Sequence, residues 1–147
     1  MTGGPSLKTR ALGYLARREH SRLELERKLA PHAQDPAELS AMLDALEQHG
    51  FLSAERMLEQ VVQVRRKKFG SQRIVHELRE KGIAEDLIAT ALPELKETEL
   101  DAAREVWRKK FAAPPTDAKE HGKQMRFLLG RGFAPEVIRR VLLPRDE

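Results

Sequence analysis

Apolar residues recur three or four positions apart along most of the chain, which is the spacing of one face of an α-helix. Two of the clearest stripes are Leu39, Leu43 and Leu46, and Ile74, Val75 and Leu78. No segment sustains the alternation of apolar and polar residues that is typical of a β-strand. The pattern therefore predicts an all-α protein with no sheet.

Polar caps, glycines and prolines divide these stripes into nine predicted helices. The predicted N-caps are Ser21, Asp35, Ser53, Ser71 and Asp117, with Glu24 and Glu120 placed to complete two capping boxes. Gly50 and Gly82 are predicted to end helices. The sixth helix is predicted to stop near Pro93, and the seventh to run from about Glu97 to Phe111.

The helices group in threes, and part of the sequence is repeated. Residues 71–92 align with 121–142 at a shift of 50, with identities at Leu78/Leu128, Gly82/Gly132, Ala84/Ala134, Ile88/Ile138 and Leu92/Leu142. A glycine at the shared position suits a left-handed turn between two helices of a hairpin. The prediction is an elongated array of three tandem three-helix repeats with helix-turn-helix-like hairpins, at residues 1–50, 51–96 and 97–147.

Charge alternates in blocks along the chain, whose formal net charge is +4. Basic residues outnumber acids in residues 1–34, 61–82 and 102–145, and acids dominate in 35–60 and 83–101. Helical proteins segregate charge to some extent, so the blocks could be solvated faces. The alternative is that repeating units present cations to a polyanionic partner.

The sequence holds no recognisable catalytic or metal-binding motif. Cysteine is absent, the five histidines do not form a ligand pattern, and neither a phosphate-binding loop nor a nucleophile elbow is present. We therefore expect neither an enzyme nor a cofactor. The apolar runs are short and the first residues do not resemble a signal peptide, so we expect a cytoplasmic protein, with a monomer as the default.

Basic clusters lie at the predicted C-termini of the first helices of all three units. Cations there stabilise a helix end by roughly 0.3–1 kcal/mol each, so a structural role is a sufficient explanation. They could instead form a ladder for a phosphate backbone or an acidic protein. The candidate partner-binding residues are Arg17, Arg18, Arg65, Arg66, Lys67, Lys68, Arg73, Lys81, Arg108, Lys109, Lys110, Lys123, Arg126 and Arg131.

Two other features of the sequence bear on nucleic-acid binding. Trp107 could stack on a base, but its helical spacing from Ala103 and Phe111 favours a core position. The second helix of the hairpin 71–92 begins with Glu85 and Asp86 and lacks base-reading side chains, so sequence-specific readout by this hairpin is not expected.

Four segments resemble the RecX family of regulatory proteins: ALGYLARREHSRLELERKL (11–29), HGFLSAERM (49–57), FGSQRIVHELREKGI (69–83) and RGFAPEVIRRVL (131–142). The third matches the family phrase K-G-x-x-R-I-x-x-E-L-x-x-K-G-I at Arg73, Ile74, Glu77, Leu78, Lys81, Gly82 and Ile83. The chain departs from the family pattern at Ser53-Ala54, Met57 and Gly70-Ser71.

The resemblance implies an array of three three-helix repeats that binds the RecA recombinase, mainly as a filament on DNA. It also implies that the protein itself binds single- or double-stranded DNA without sequence specificity. It further implies inhibition of recombinase ATPase, strand exchange and co-protease activity, which affects homologous recombination, DNA repair and the SOS response. It implies no catalytic residue and no cofactor. The alternative left open by the residues is a helical DNA-binding module that acts without a recombinase.

Overall fold

The computed structural model describes residues 4–144, and every regular element in that range is helical. Eight α-helices follow one another: α1 (Leu7–Arg17), α2 (Arg22–Leu29), α3 (Pro36–Gln48), α4 (Ala54–Arg65), α5 (Ser71–Glu80), α6 (Glu85–Lys110), α7 (Ala118–Gly130) and α8 (Pro135–Leu142). A 3₁₀ turn, Ala30–His32, follows α2. The prediction of an all-α protein without a sheet is confirmed for these residues.

Most of the predicted caps are confirmed. Ser21 and Glu24 form a capping box at α2, in which each side chain bonds the other residue's backbone N–H. Asp35 accepts the N–H of Ala37 at 3.0 Å. Ser53 and Asp117 likewise accept N–H groups in the first turns of α4 and α7. Each cap satisfies a backbone donor that the helix leaves without a partner.

The predicted break near Pro93 is wrong, because α6 continues through it as one helix of 26 residues. Proline inside a helix removes one hydrogen bond and costs about 3 kcal/mol. Buried residues continue at helical spacing on both sides of Pro93, at Ile88, Leu95, Ala103 and Val106. Their packing outweighs the local cost, so the predicted sixth and seventh helices are one and the described chain has eight α-helices rather than nine.

The predicted capping role of Ser71 is also wrong. Ser71 is the first residue of α5 and is buried, and its hydroxyl donates to the carbonyl of Leu95. Its own N–H donates to the Glu99 carboxylate at 2.8 Å. A carboxylate from another helix therefore satisfies this helix start, which the local sequence could not indicate.

The glycine turns are confirmed. Gly82 and Gly132 have φ of 76° and 88°, in the left-handed region that L-residues with a Cβ seldom adopt. Gly50 adopts the same conformation after α3, with φ of 78°. The repeated glycine is thus explained by backbone geometry.

The chain divides into two compact units: Met1–Gln60 with Glu80–Ile83 (unit 1), and Val61–Arg79 with Ala84–Glu147 (unit 2). In unit 1, α1, α2 and α3 pack around a core that includes Leu25, Leu29 and Leu43. In unit 2, α8 packs on α6 and α7 around Phe133 and Ile138. The predicted repeat limits stay a prediction, and their outer ends at residues 1 and 147 lie outside the described residues.

Within residues 4–144, no helix is both long and apolar enough to cross a membrane.

Candidate functional site

Two turns of unit 2 dock against each other and place distant basic residues side by side. The N–H of Gly70, before α5, donates to the carbonyl of Arg131 at 2.8 Å, and the N–H of Gln72 donates to that of Gly132 at 3.2 Å. A Cβ at Gly70 would overlap the Gly132 carbonyl, so only glycine permits this approach. The end of α4 is therefore fixed beside the end of α7.

A buried carboxylate holds the same two turns from beneath. Glu99 of α6 is 4% exposed, and its two oxygens accept the N–H groups of Ser71 (2.8 Å) and Ala134 (3.1 Å), at the starts of α5 and α8. Negative charge at a helix N-terminus is favoured by the helix dipole. Arg66 lies 3.8 Å from the same carboxylate and compensates its charge. One side chain thus links three helices.

Arg66 belongs to this buried support. Its guanidinium bonds the carbonyl of Leu95, the hydroxyl of Thr98 (3.1 Å) and the hydroxyl of Ser71 (3.2 Å). Burial lowers the pKa of Arg66, and the nearby carboxylate of Glu99 opposes that shift. Arg66 is therefore engaged in structural contacts within unit 2, although its buried Nε has no hydrogen-bond partner among the described residues.

The docked turns form one wall of a basic groove. Lys67 and Lys68 follow α4, Lys109 and Lys110 end α6, and Arg131 follows α7. Together with Val106 and Phe127, these residues line a cavity of about 230 Å³. The structure therefore brings together cations from three separate segments of the sequence, and we call this cavity the basic groove.

Two aromatic rings, Phe69 and Phe127, contact cations at one side of the basic groove. The Arg73 guanidinium lies 4.2 Å from the centre of the Phe69 ring, and the Arg131 guanidinium lies 5.5 Å from the same ring. The Arg131 guanidinium also lies 5.1 Å from the centre of the Phe127 ring. The Lys110 ammonium lies 5.7 Å from the centre of that same ring. Such cation–π contacts contribute about 0.5–1 kcal/mol each at exposed sites, which offsets part of the repulsion between the cations.

The basic groove concentrates positive charge from five side chains. Among residues 4–144, no carboxylate forms an ion pair with any of its five cations: Lys67, Lys68, Lys109, Lys110 and Arg131. The four lysines are exposed and Arg131 is half-buried. An anionic partner would remove the repulsion between these charges as it binds.

Several other candidate residues are engaged in ion pairs. Arg65 bonds Glu77 at 2.8 Å in unit 2, and Arg108 pairs with Glu105 on its own helix. In unit 1, Arg18 bonds Glu24 at 2.8 Å and Lys81 lies 3.6 Å from the same carboxylate. Arg17, Lys123 and Arg126 are exposed. The candidate residues therefore fall into three groups: those that pair with other residues of the chain, those that are exposed, and those that line the basic groove.

The carboxylate of Glu24, in unit 1, is surrounded by the cations Arg18 and Lys81 and by the backbone N–H of Ser21. Partial burial raises the pKa of Glu24, but the hydrogen bonds from Arg18 and from the Ser21 N–H, with the charge of Lys81, lower it to about 2 overall. Glu24 also completes the capping box of α2. Arg18 and Lys81 thus take part in stabilising the start of α2.

Trp107 has a core position, as its helical spacing indicated. It packs at the edge of the unit 2 core, and its indole N–H donates to the amide oxygen of buried Gln124 at 2.7 Å. The Gln124 amide in turn donates to the carbonyl of Ala113 at 3.1 Å. The indole is therefore anchored within unit 2.

Three residues that shape the groove were not among the candidates. Glu99 occupies an apolar-stripe position between Leu95 and Ala103, and a carboxylate at such a position is a signal of buried pairing. Phe69 and Phe127 left no comparable signal, because their contacts with Arg131 depend on the docking of the two turns. In the described part of the chain, no group of His, Asp or Glu side chains is arranged to hold a metal ion.

Comparisons with known proteins agree on one family. The domain described as "RecX, second three-helix domain" matches residues 55–92, and "RecX, third three-helix domain" matches residues 97–142. "Regulatory protein RecX" of Leptothrix cholodnii is 56% identical over 141 residues, covering 96% of this chain and 90% of that protein. The protein of the same name from Ralstonia pickettii is 43% identical over 142 residues, covering 97% and 89%.

A solved structure agrees on the fold. The crystal structure of RecX from Lactobacillus salivarius superposes with a TM-score of 0.78 at 20% identity, covering 92% of this chain and 91% of that chain. A likeness at this identity establishes the arrangement of the helices. The tandem three-helix domains are therefore supported by sequence and by structure.

Proposed function

Because the chain belongs to the RecX family of regulatory proteins, we propose that it is a negative regulator of the RecA recombinase. In this proposal it binds the recombinase filament on DNA and lowers ATPase, strand exchange and co-protease activity. Its role would lie in homologous recombination, DNA repair and the SOS response. It would act in the cytoplasm, by binding alone, as a monomer without a cofactor or a catalytic residue.

The basic groove is the observation that supports this proposal, and it indicates which residues would contact the partner. Five cations converge there without a carboxylate partner among the described residues. A filament on DNA offers the phosphate backbone as a polyanionic surface, and an acidic patch on the recombinase would be a second one. Charge complementarity of this kind raises association rates and makes binding dependent on salt.

The test is capture of the cognate recombinase by the immobilised chain, with and without DNA. We expect strong capture of the filament on DNA and weak capture of the free recombinase. Lys110→Glu should reduce capture of the filament. Lys96→Glu is the matched control, because Lys96 is an exposed residue of the same helix, about 21 Å along its axis from Lys110.

A second candidate function is a DNA-binding module that acts without a recombinase. The lysine content of the groove favours it, because lysines bind phosphate as point charges without reading a sequence. This alternative predicts tight, salt-sensitive binding of bare DNA and no additional retention of the recombinase. Equal recombinase capture by the wild type and an empty matrix would refute the regulatory proposal and leave this one.

A further inference from the structure

Arg131 differs from the four lysines of the basic groove in how its side chain is held. Its guanidinium lies near two aromatic rings, at 5.5 Å from the centre of Phe69 and 5.1 Å from the centre of Phe127. Its carbonyl is fixed by the N–H of Gly70 at 2.8 Å. Backbone and side chain are therefore both restrained. The four lysines are exposed on flexible stems, and Lys110 contacts one of the two rings, at 5.7 Å from the centre of Phe127.

The two rings are themselves fixed. Phe127 meets Phe111 edge to face, with ring centres 5.4 Å apart. The other face of the network is closed by Arg73, which stacks on Phe69 at 4.2 Å and donates to the carbonyl of Gly130 at 3.2 Å. A ring held in this way keeps the planar guanidinium in one orientation and reduces the entropy lost when it meets a ligand.

We propose that Phe69 and Phe127 are positioning residues that hold Arg131 as a preformed two-pronged donor for a phosphate of a nucleic-acid backbone. The lysines of the groove then supply charge around this anchor. The inference rests on the proposed function for taking the basic groove as the contact surface. Apart from Arg131, the described residues that line the groove are lysine, valine and phenylalanine, and none of these side chains carries a neutral polar group that could read a base or a peptide.

The consequence is that Arg131 and Phe127 act as a pair. Arg131→Lys keeps the charge and removes the planar fork, and Phe127→Leu keeps the charge and removes the ring that orients it. Each should weaken binding of a labelled single-stranded oligonucleotide roughly two- to fivefold. Because neither change alters the number of cations, the dependence of log Kd on log salt should keep its slope.

The closing experiment is a double-mutant cycle on the full chain with that oligonucleotide and no recombinase. We expect the double variant to bind as Arg131→Lys alone does, and Phe127→Tyr, which keeps a ring, to restore wild-type affinity. Far-UV circular dichroism confirms that each variant is folded. Phe69→Leu should behave as Phe127→Leu does, which provides a second route if Phe127→Leu fails to fold.

Additive losses in the cycle would overturn the inference, because the ring would then act independently of Arg131. Unchanged oligonucleotide affinity in every variant, with loss of binding to an acidic peptide instead, would also overturn it and assign the groove to a protein partner. Recombinase ATPase measured with the same variants reports on the proposed function separately. Coupling without ATPase inhibition would support the anchor and refute the regulator.

Discussion

Replacing Glu99 by glutamine removes the charge that links the starts of α5 and α8. The glutamine can still accept one N–H, but its NH₂ group faces the second N–H donor, so one charge-assisted hydrogen bond of about 1.5–3 kcal/mol is lost. Arg66 is left in a buried site without its counter-charge, and breaking such pairs costs about 3–5 kcal/mol. The two terms overlap, and Arg66 keeps its bonds to neutral acceptors, so we expect a loss near the lower limit, about 3 kcal/mol.

Urea unfolding monitored by tryptophan fluorescence is suited to this test, because Trp107 is the only tryptophan of the chain and packs in unit 2. The free energy of unfolding follows from the midpoint and slope of the transition. Glu97→Gln is the matched control, since Glu97 is exposed two residues away on α6 and should change stability by less than about 0.5 kcal/mol. A loss below about 1 kcal/mol for Glu99→Gln would refute the linking role.

Three further changes test the turns, the buried histidine and the groove. Gly132→Ala forces a Cβ into a left-handed turn and should lower the free energy of unfolding by more than about 1 kcal/mol in the same assay. Gly130→Ala is the control and should be neutral or stabilising, because Gly130 is in α7 and a Cβ there would meet open space. Burial lowers the pKa of His20 below its usual value of 6.5. As the pH falls below about 6.5, the histidine of the unfolded chain is therefore protonated before that of the folded chain, and unit 1 loses stability. Hydrogen exchange of the α2 amides should show this loss, and a chain carrying His20→Gln should show a smaller one; equal losses would exclude the histidine as the cause. Lys110→Glu should reduce the dependence of log Kd for the oligonucleotide on log salt by the equivalent of about one phosphate contact or more. Lys96→Glu should leave this dependence unchanged.

Sequence periodicity was sufficient for the helices whose buried faces and caps lie within one segment. Ser21, Asp35 and Ser53 cap the helices they precede, and the repeated glycine of the hairpins marks the left-handed turns at Gly82 and Gly132. These features depend on residues within a few positions of each other. Local rules therefore predicted them correctly.

The errors arose where tertiary contacts outweigh local preference. Pro93 lies inside α6 because buried residues continue on both sides of it. Ser71 does not cap α5 because it is the first residue of that helix and its hydroxyl is engaged by the Leu95 carbonyl and the Arg66 guanidinium. A single sequence contains the residues of both contacts but does not indicate their pairing. From the sequence alone, proline and serine therefore indicate their usual roles, a helix break and an N-cap.

The sequence indicates which segments are basic, but it does not indicate which of their side chains lie together in the folded protein. The clusters at residues 65–68 and 108–110 were identified, and the docking of two glycine turns brings Lys67, Lys68, Lys109 and Lys110 together with Arg131. Arg65 and Arg66, from the first of those clusters, instead meet Glu77 and Glu99. Consecutive helical residues diverge by about 100°, so neighbours in one basic run have different partners.

The regulatory role is tested by the DNA-dependent ATPase rate of the cognate recombinase as this chain is added. We expect the wild-type chain to lower the rate, Lys110→Glu to do so only at higher concentration, and Lys96→Glu to match the wild type. An unchanged ATPase rate with the wild-type chain in molar excess would contradict the regulatory role. Equal inhibition by all three proteins at low and high salt would contradict the assignment of the basic groove as its contact surface.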